Sequence, residues 1–298
     1  MTTAGDLVEL TRNRYINAGH REERNRLAAA IDETAETFTT SWDLGPLTRG
    51  ARISIGLEDM YVWSAEGKSV DADRGQFGTT ATAHDEGDRI LVNARPTPAD
   101  TLAALNETVT DLSNRGIFAV DHVDITTDGA STAYNLPATN WIGPLDVRIQ
   151  TKEPAEDWPL LTRWRVADGI ADDGDYEAGR VIRLFDALPS GRTVRVRYKT
   201  ELTPALSSLD DNVEDKTGLY SWAVDLLPLG AALSLIAGRE VARNRDDRQG
   251  DTRRANEVPP NAQLISSRGL SSQYESRLTA VRRRLLATYQ TRLKATRF

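Results

Sequence analysis

Cysteine is absent from the 298 residues, which excludes disulfides, thiol nucleophiles and every thiolate metal site. Histidine is almost as scarce. Only His20, His84 and His122 occur, far apart in sequence, so a zinc site or a histidine-dependent centre has few candidates. The opening "MTTAGDLVEL" has neither a basic start nor an apolar run, so no signal peptide is expected. A long uninterrupted apolar run is also missing. The nearest approach, "GLYSWAVDLLPLGAALSLIAG" (218–238), carries Asp225 and Pro228, and a buried helix is expected there rather than a membrane span. An EF-hand is excluded in "ADGIADDGDYE" (167–177). Counted from Asp168, the third position is Ile170 and the twelfth is Gly179, neither of which supplies a side-chain oxygen.

What is present is enough apolar residue for a core, 39%, on a chain long enough for one large domain or two to three small ones. The net charge of −7 is unevenly spread. Residues 239–298 hold 14 Lys/Arg against 6 Asp/Glu, a net of +8, which leaves −15 on residues 1–238. From Arg277 onward there are seven basic residues and no acidic one. An acidic body with a basic tail suits docking onto an acidic partner or a neighbouring copy, with nucleic-acid contact as the other reading. The candidate docking cations are Arg277, Arg282, Arg283, Arg284, Arg292 and Lys294.

Periodicity gives the element order. "GDLVELTRNRY" reads as a short helix and "REERNRLAAA" (21–30) is helix-forming by propensity. Short β-type runs follow: "TFTTSW" (37–42), "ARISIG" (51–56), "DMYVWSA" (59–65), "KSVDAD" (68–73) and "RILVN" (89–93). In "RPTPADTLAALNETVTDLSNRG", Thr97 can cap, Pro98 takes the first helical position and Asp100 the first turn. Leu102, Leu105, Val109 and Leu112 form one stripe, and Gly116 ends it. "LDVRIQ" and "TVRVRYKT" alternate apolar and charged residues, as half-buried strands do, and "LLTRWRVA" and "GRVIRLFDA" supply more. Residues 217–246 read as one long helix bent at Pro228, "DDRQGDTRRANEVPPNAQLISSRG" (246–269) as an extended arm, and the last helix as capped by Ser272 with Glu275. Its stripe is Tyr274, Leu278, Val281, Leu285, Tyr289 and Leu293.

The expected fold is therefore α+β: a helical bundle core with two inserted antiparallel β-modules and an extended C-terminal arm ending in a helix. The boundaries are 1–30 (helical core), 31–95 (small β-module), 96–118 (core helix), 119–204 (second, sandwich-like β-domain), 205–246 (long core helix) and 247–298 (arm and basic helix).

The stretch "DRGQFGTTATAHDEGD" (73–88) gathers glycine, threonine, histidine and carboxylates. It is no Walker loop, because it has no lysine, and no dinucleotide loop, because strands flank it on both sides. His84 beside Asp85 imitates a nucleophile–base pair, but triads are assembled from distant segments. The remaining reading is a long turn in which Gly75, Gly78 and Gly87 supply positive φ and His84 pins the loop. Trp42, Trp63, Trp141, Trp158 and Trp164 lie in or beside β-runs. They read as packing, with a sugar-binding platform as the alternative.

The phrases "NRLAAAIDETAETFTTSWDLG", "GARISIGLEDMYVWSAEGKSVDADRGQFGTTATAHDEGDRILVN", "TPADTLAALNETVTDLS", "YNLP" and "VRVRYKTEL", in that order, resemble the head-to-tail adaptor (connector) proteins of long-tailed phages infecting actinobacteria. The resemblance spans about Gly5 to Arg245 and contains no catalytic motif. It implies a structural virion protein, not an enzyme, with no cofactor or metal. It implies a ring, usually of twelve copies, at the neck between the portal protein and the stopper and tail proteins. Genomic DNA would pass through the bore without sequence readout. Assembly would follow synthesis in the host cytoplasm, with no membrane involved. A β-rich carbohydrate- or receptor-binding tail or surface module is the alternative, and a hydrolase centred on His84 is a third reading.

Overall fold

The computed structural model describes residues 2–16, 23–44, 47, 49–136, 140–150, 158–170, 179–247 and 262–289. Among them are thirteen strands in three sheets and five α-helices. The expected helical bundle core is thus replaced by a mostly β architecture, because strand pairing takes segments that local propensity assigns to helix. The described residues fall into two compact units. The first draws on Met1–Asp111, Pro204–Thr217 and Ser221–Leu278, and the second on Leu112–Thr203, Gly218–Tyr220 and Thr279–Phe298.

The first unit contains a six-stranded antiparallel sheet of β1 (Glu23–Arg26), β2 (Thr37–Thr39), β3 (Arg52–Ile55), β4 (Glu58–Glu66), β5 (Ser69–Asp73) and β6 (Arg89–Val92), in the order β1-β6-β3-β4-β5-β2. The sheet curls until its edges meet. Ala28 N–H donates to Thr39 O (3.0 Å) and Ser41 N–H to Arg26 O (2.8 Å), and Leu27 bridges Thr40. Buried Asn25 adds a side-chain bond to Trp42 O (2.7 Å). Curling puts alternate residues inside, where Leu27, Phe38, Ile53, Met60, Val70 and Ile90 share one core. Each is worth about 1.5–3 kcal/mol on full burial.

Closure explains why "REERNRLAAA" is not a helix. Glu23 to Arg26 pair residue for residue with Val92 to Arg89. Asn25 and Leu27 then point inward while Arg26 stays exposed, a period of two that a helix could not deliver. Helix propensity, worth tenths of a kcal/mol per residue, loses to that pairing.

The first unit also carries helices. α1 (Ala4–Leu10) has a capping box in which Thr3 and Asp6 exchange 3.1 Å bonds, and it continues as a π-helical stretch, Thr11–Ile16. α2 (Pro98–Asn114) is capped by Thr97 and Asp100 in the same reciprocal way and buries Leu102, Leu105, Val109 and Leu112. Gly116 follows it at φ +82.

The expected single helix over 217–246 is broken. α3 (Val213–Thr217) ends at Gly218, whose φ of +72 turns the chain out of the helix. A 3₁₀ turn (Ser221–Ala223) intervenes, and α4 (Leu226–Asp247) starts beyond it. Pro228 therefore lies in the first turn of α4, where a missing N–H costs no helical bond, and it begins the helix rather than bending it. α5 (Ala262–Thr288) starts ten residues before Ser272, so Ser272 and Glu275 cap nothing. Its stripe residues Tyr274, Leu278, Val281 and Leu285 are buried. Leu293 and residues 248–261 of the expected arm lie outside the described residues.

The second unit holds two antiparallel sheets. One has the order β10-β9-β13-β7, from β7 (Ala119–Thr126), β9 (Trp141–Ile149), β10 (Leu160–Leu161) and β13 (Thr193–Thr200). The other is β11-β12-β8, from β8 (Ala133–Asn135), β11 (Trp164–Ile170) and β12 (Gly179–Leu184). Val147, Val194 and Val196 of the first share a core with Ile182 and Leu184 of the second. On the outer face, Arg195 grips Asp124 through two 2.7 Å bonds and Arg197 pairs with Asp146.

One packing contact is tight enough to test. A Cβ on Gly230 of α4 would lie 2.3 Å from Thr108 Cγ2 of α2, whereas one on Gly269 of α5 would meet nothing within 4 Å. Gly230→Ala is expected to destabilise the protein by about 1–3 kcal/mol through overpacking. Gly269→Ala is expected to leave it unchanged or up to about 1 kcal/mol more stable through helix propensity. Chemical denaturation of both variants checks the pair.

Candidate functional site

The stretch 73–88 joins β5 to β6, and its shape depends on a residue outside it. Glu58 opens β4, and its side chain is 0% exposed. Arg74 Nε donates to Oε1 (2.8 Å) and Arg74 Nη2 to Oε2 (2.8 Å). Gly75 N–H reaches Oε1 (2.9 Å) and Thr82 N–H reaches Oε2 (3.1 Å). His84 Nε2 lies 2.8 Å from Oε2, and because an ionised carboxylate only accepts, Nε2 carries the proton. Burial opposes ionisation of Glu58. The bonds from Arg74 and His84, then those from Thr82 and Gly75, outweigh it and hold the carboxyl at about 2, below its usual 4.5.

Arg74 extends the clamp. Its Nη1 donates to Asp32 O (2.6 Å) and Ala35 O (3.0 Å), and its Nη2 to Thr82 O (2.6 Å). His84 also pairs through its backbone with Ile31, by two 2.9 Å bonds. The loop therefore converges on one carboxylate, and through Arg74 and His84 it also fastens the 31–35 segment. Neighbouring Asp59 works the same way, taking Arg52 Nη2 and Ser54 Oγ at 2.5 Å each.

Gly75, Gly78 and Gly87 take φ values of +58, +83 and +88. At Gly75 a Cβ would sit 2.8 Å from Ala81 N, so the loop folds back too closely for any side chain. Phe77 also adopts a left-handed φ, +56, and is 53% exposed with the Arg52 guanidinium 4.5 Å over its ring. That conformation is strained for a bulky residue.

Within this cluster the Glu58 carboxylate has its oxygens fully engaged. A general base needs a lone pair facing the reactant, and those of Glu58 face Arg74, His84 and two backbone N–H groups. Sequence reasoning singled out His84 and the glycines but missed Glu58 and Arg74. The available signal was a pair of carboxylates, Glu58 and Asp59, at the head of the strand "LEDMYVW", where burial demands cations or other donors.

The other candidates are scattered. Arg277 is occupied within the chain, donating to Asp225 Oδ2 (2.6 Å), Asp225 Oδ1 (3.1 Å) and Trp222 O (2.6 Å). Arg282, Arg283 and Arg284 are exposed on α5, while Arg292, Lys294 and His20 lie outside the described residues. His122 is exposed on β7 in the second unit, whereas His84 belongs to the first.

Several of the tryptophan rings are engaged by neighbouring side chains. Arg49 lies 4.1 Å over the Trp63 ring and Arg195 4.3 Å over Trp158. Trp141 stacks on Tyr198 at 4.4 Å, with Arg180 4.8 Å from its ring centre. These contacts have the geometry of cation–π and ring-stacking packing. Trp42 is exposed. Among the described residues there is no group of three metal-ligating side chains, and no helix is long and apolar enough to cross a membrane.

No family model matches the chain, and no curated protein is similar enough in sequence to be matched to it.

The Glu58 clamp makes a signed pH prediction. Its folded pKa is depressed, so its contribution is complete above about pH 4.5 and is lost as pH falls toward about 2. The shift corresponds to about 3 kcal/mol. On acidification from neutral pH to pH 2, wild type is expected to lose about 3 kcal/mol more than Glu58→Gln, which starts lower. Urea titrations at several pH values measure the difference, and parallel curves would rule the clamp out as the source.

Proposed function

We propose that this chain is a non-enzymatic assembly protein, the head-to-tail adaptor at the neck of a long-tailed phage. It forms a ring, taken as twelve copies, between the portal protein and the stopper and tail proteins, and genomic DNA passes through the bore. The observation that carries the reading is the Glu58 clamp. In the one stretch of sequence that gathers catalytic-looking residues, Arg74, Thr82 and His84 bond the buried Glu58, an arrangement that supports reading the loop as part of a docking surface. The resemblance over Gly5 to Arg245 gives that surface its setting. The split between a −15 body and a +8 tail supports head-to-tail contacts between unlike patches, which close into rings. The same excess of acid suits a bore that repels phosphate and lets DNA slide.

The test is imaging. Purified protein incubated with portal rings is expected to add a coaxial ring visible by negative-stain electron microscopy, and His84→Ala is expected to lower thermal stability or ring yield. A wild-type protein that leaves portals bare, yet shows saturable tryptophan quenching by a glycan, would replace this reading with the carbohydrate-binding one.

A further inference from the structure

The sheet β11-β12-β8 of the second unit has an apolar face and a basic one. Trp164, Val166, Ile182 and Leu184 pack into the core. Arg165 and Arg183 stand directly opposite each other in the antiparallel register, and both are exposed. Sides alternate along a strand, so the two arginines share the face turned away from the core. One step along, Phe185 N–H donates to Arg163 O (3.2 Å), which sets Arg163 and Phe185 on that same face. Phe185 is 59% exposed. Like charges directly opposite destabilise a strand pair. Among the described residues, Arg165 and Arg183 have no partner to offset that cost. Arg163 meets Asp186 at 3.2 Å, an exposed pair of little worth. Arginine beside an aromatic ring is the composition of a protein interface. Asp186 at the margin would repel a phosphate backbone.

The first unit carries the opposite charge at the same spacing. On β5, Val70 and Ala72 are buried, so Asp71 and Asp73 lie on the outer face of the curled sheet. They stand two residues apart on one strand, as Arg163 and Arg165 do, which is about 7 Å in both cases. Asp71 is flanked in the register by Thr37 of β2 and Ser64 of β4, and neither Asp71 nor Asp73 takes a cation among the described residues. Lys68 is exposed in the turn before β5, past Asp71 on the side away from Asp73. Asp186 likewise lies past Arg163 on the side away from Arg165. Setting Arg163 on Asp71 and Arg165 on Asp73 therefore also brings Asp186 to Lys68.

We infer that the Arg163–Arg165–Arg183–Phe185 face of one copy docks onto the Asp71–Asp73 face of a second. This rests on the ring reading above and names its contact. The two faces differ, so the contact is head-to-tail and repeats from copy to copy. Carboxylates brought between Arg165 and Arg183 relieve the repulsion that the free chain carries.

Sedimentation velocity on the full chain tests it. Wild type is expected to self-associate with rising concentration, and less so in high salt. Arg165→Glu with Arg183→Glu, and separately Asp71→Lys with Asp73→Lys, are each expected to weaken association about tenfold or more, with thermal unfolding unchanged. All four substitutions in one chain are expected to restore it, which a folding defect could not do. The inference is overturned if wild type stays monomeric at high concentration and low salt, or if the fourfold variant is no better than the doubles. It is overturned equally if the arginine reversal abolishes binding to a duplex DNA oligonucleotide while self-association persists. Portal-bound rings that still form from the arginine-reversed variant would sink this contact and leave the ring reading standing. Bare portals beside a charge-swap rescue would leave the contact standing and sink the neck reading.

Discussion

A carboxylate with no exposed surface can stay ionised only if its lone pairs are met by donors. That constraint at Glu58 organises the first unit. Satisfying it draws in Arg74 and His84 from the following loop and two backbone N–H groups between them. Arg74 then has donors left over, and they fasten carbonyls at Asp32 and Ala35. The loop between β5 and β6, the segment before β2 and the start of β4 become one piece. Removing one member leaves the others buried and unpaired, so the group stands or falls together.

Strand pairing is the second organising force, and it worked against local preference. "REERNRLAAA" is rich in good helix formers, yet Glu23–Arg26 pairs with β6 and lets Leu27 enter the core. The joined edges at Ala28–Thr39 and Arg26–Ser41 leave fewer open strand ends to recruit other chains. The helices remain, but the cores around Ile53 and Val196 are made by strands.

Features that need only neighbours in sequence were legible. The Thr97–Asp100 box, the stripe of α2, the stop at Gly116, and the strands from β2 to β6 follow from spacing alone. The positive φ of Gly75, Gly78 and Gly87 follows from the crowding of turn residues. The break at Gly218 was present in the sequence but masked by a long apolar run on either side. The buried partner of His84 was not legible, because Glu58 lies 26 residues upstream and looks like any strand-edge glutamate.

By itself the sequence determined what depends on short-range periodicity and composition: where polar and apolar faces alternate, where caps and turns fall, that thiol chemistry is impossible, and that charge is divided between body and tail. Only the tertiary structure decided that segment 23–26 is a strand, that the sheet curls onto itself, that α5 buries one face and exposes Arg282, Arg283 and Leu286, and that Glu58 is the centre of the loop. The physical reason is the same in each case. Burial and long-range pairing are worth several kcal/mol per contact group, local propensities only tenths, and which groups meet depends on contacts that no window of neighbouring residues contains.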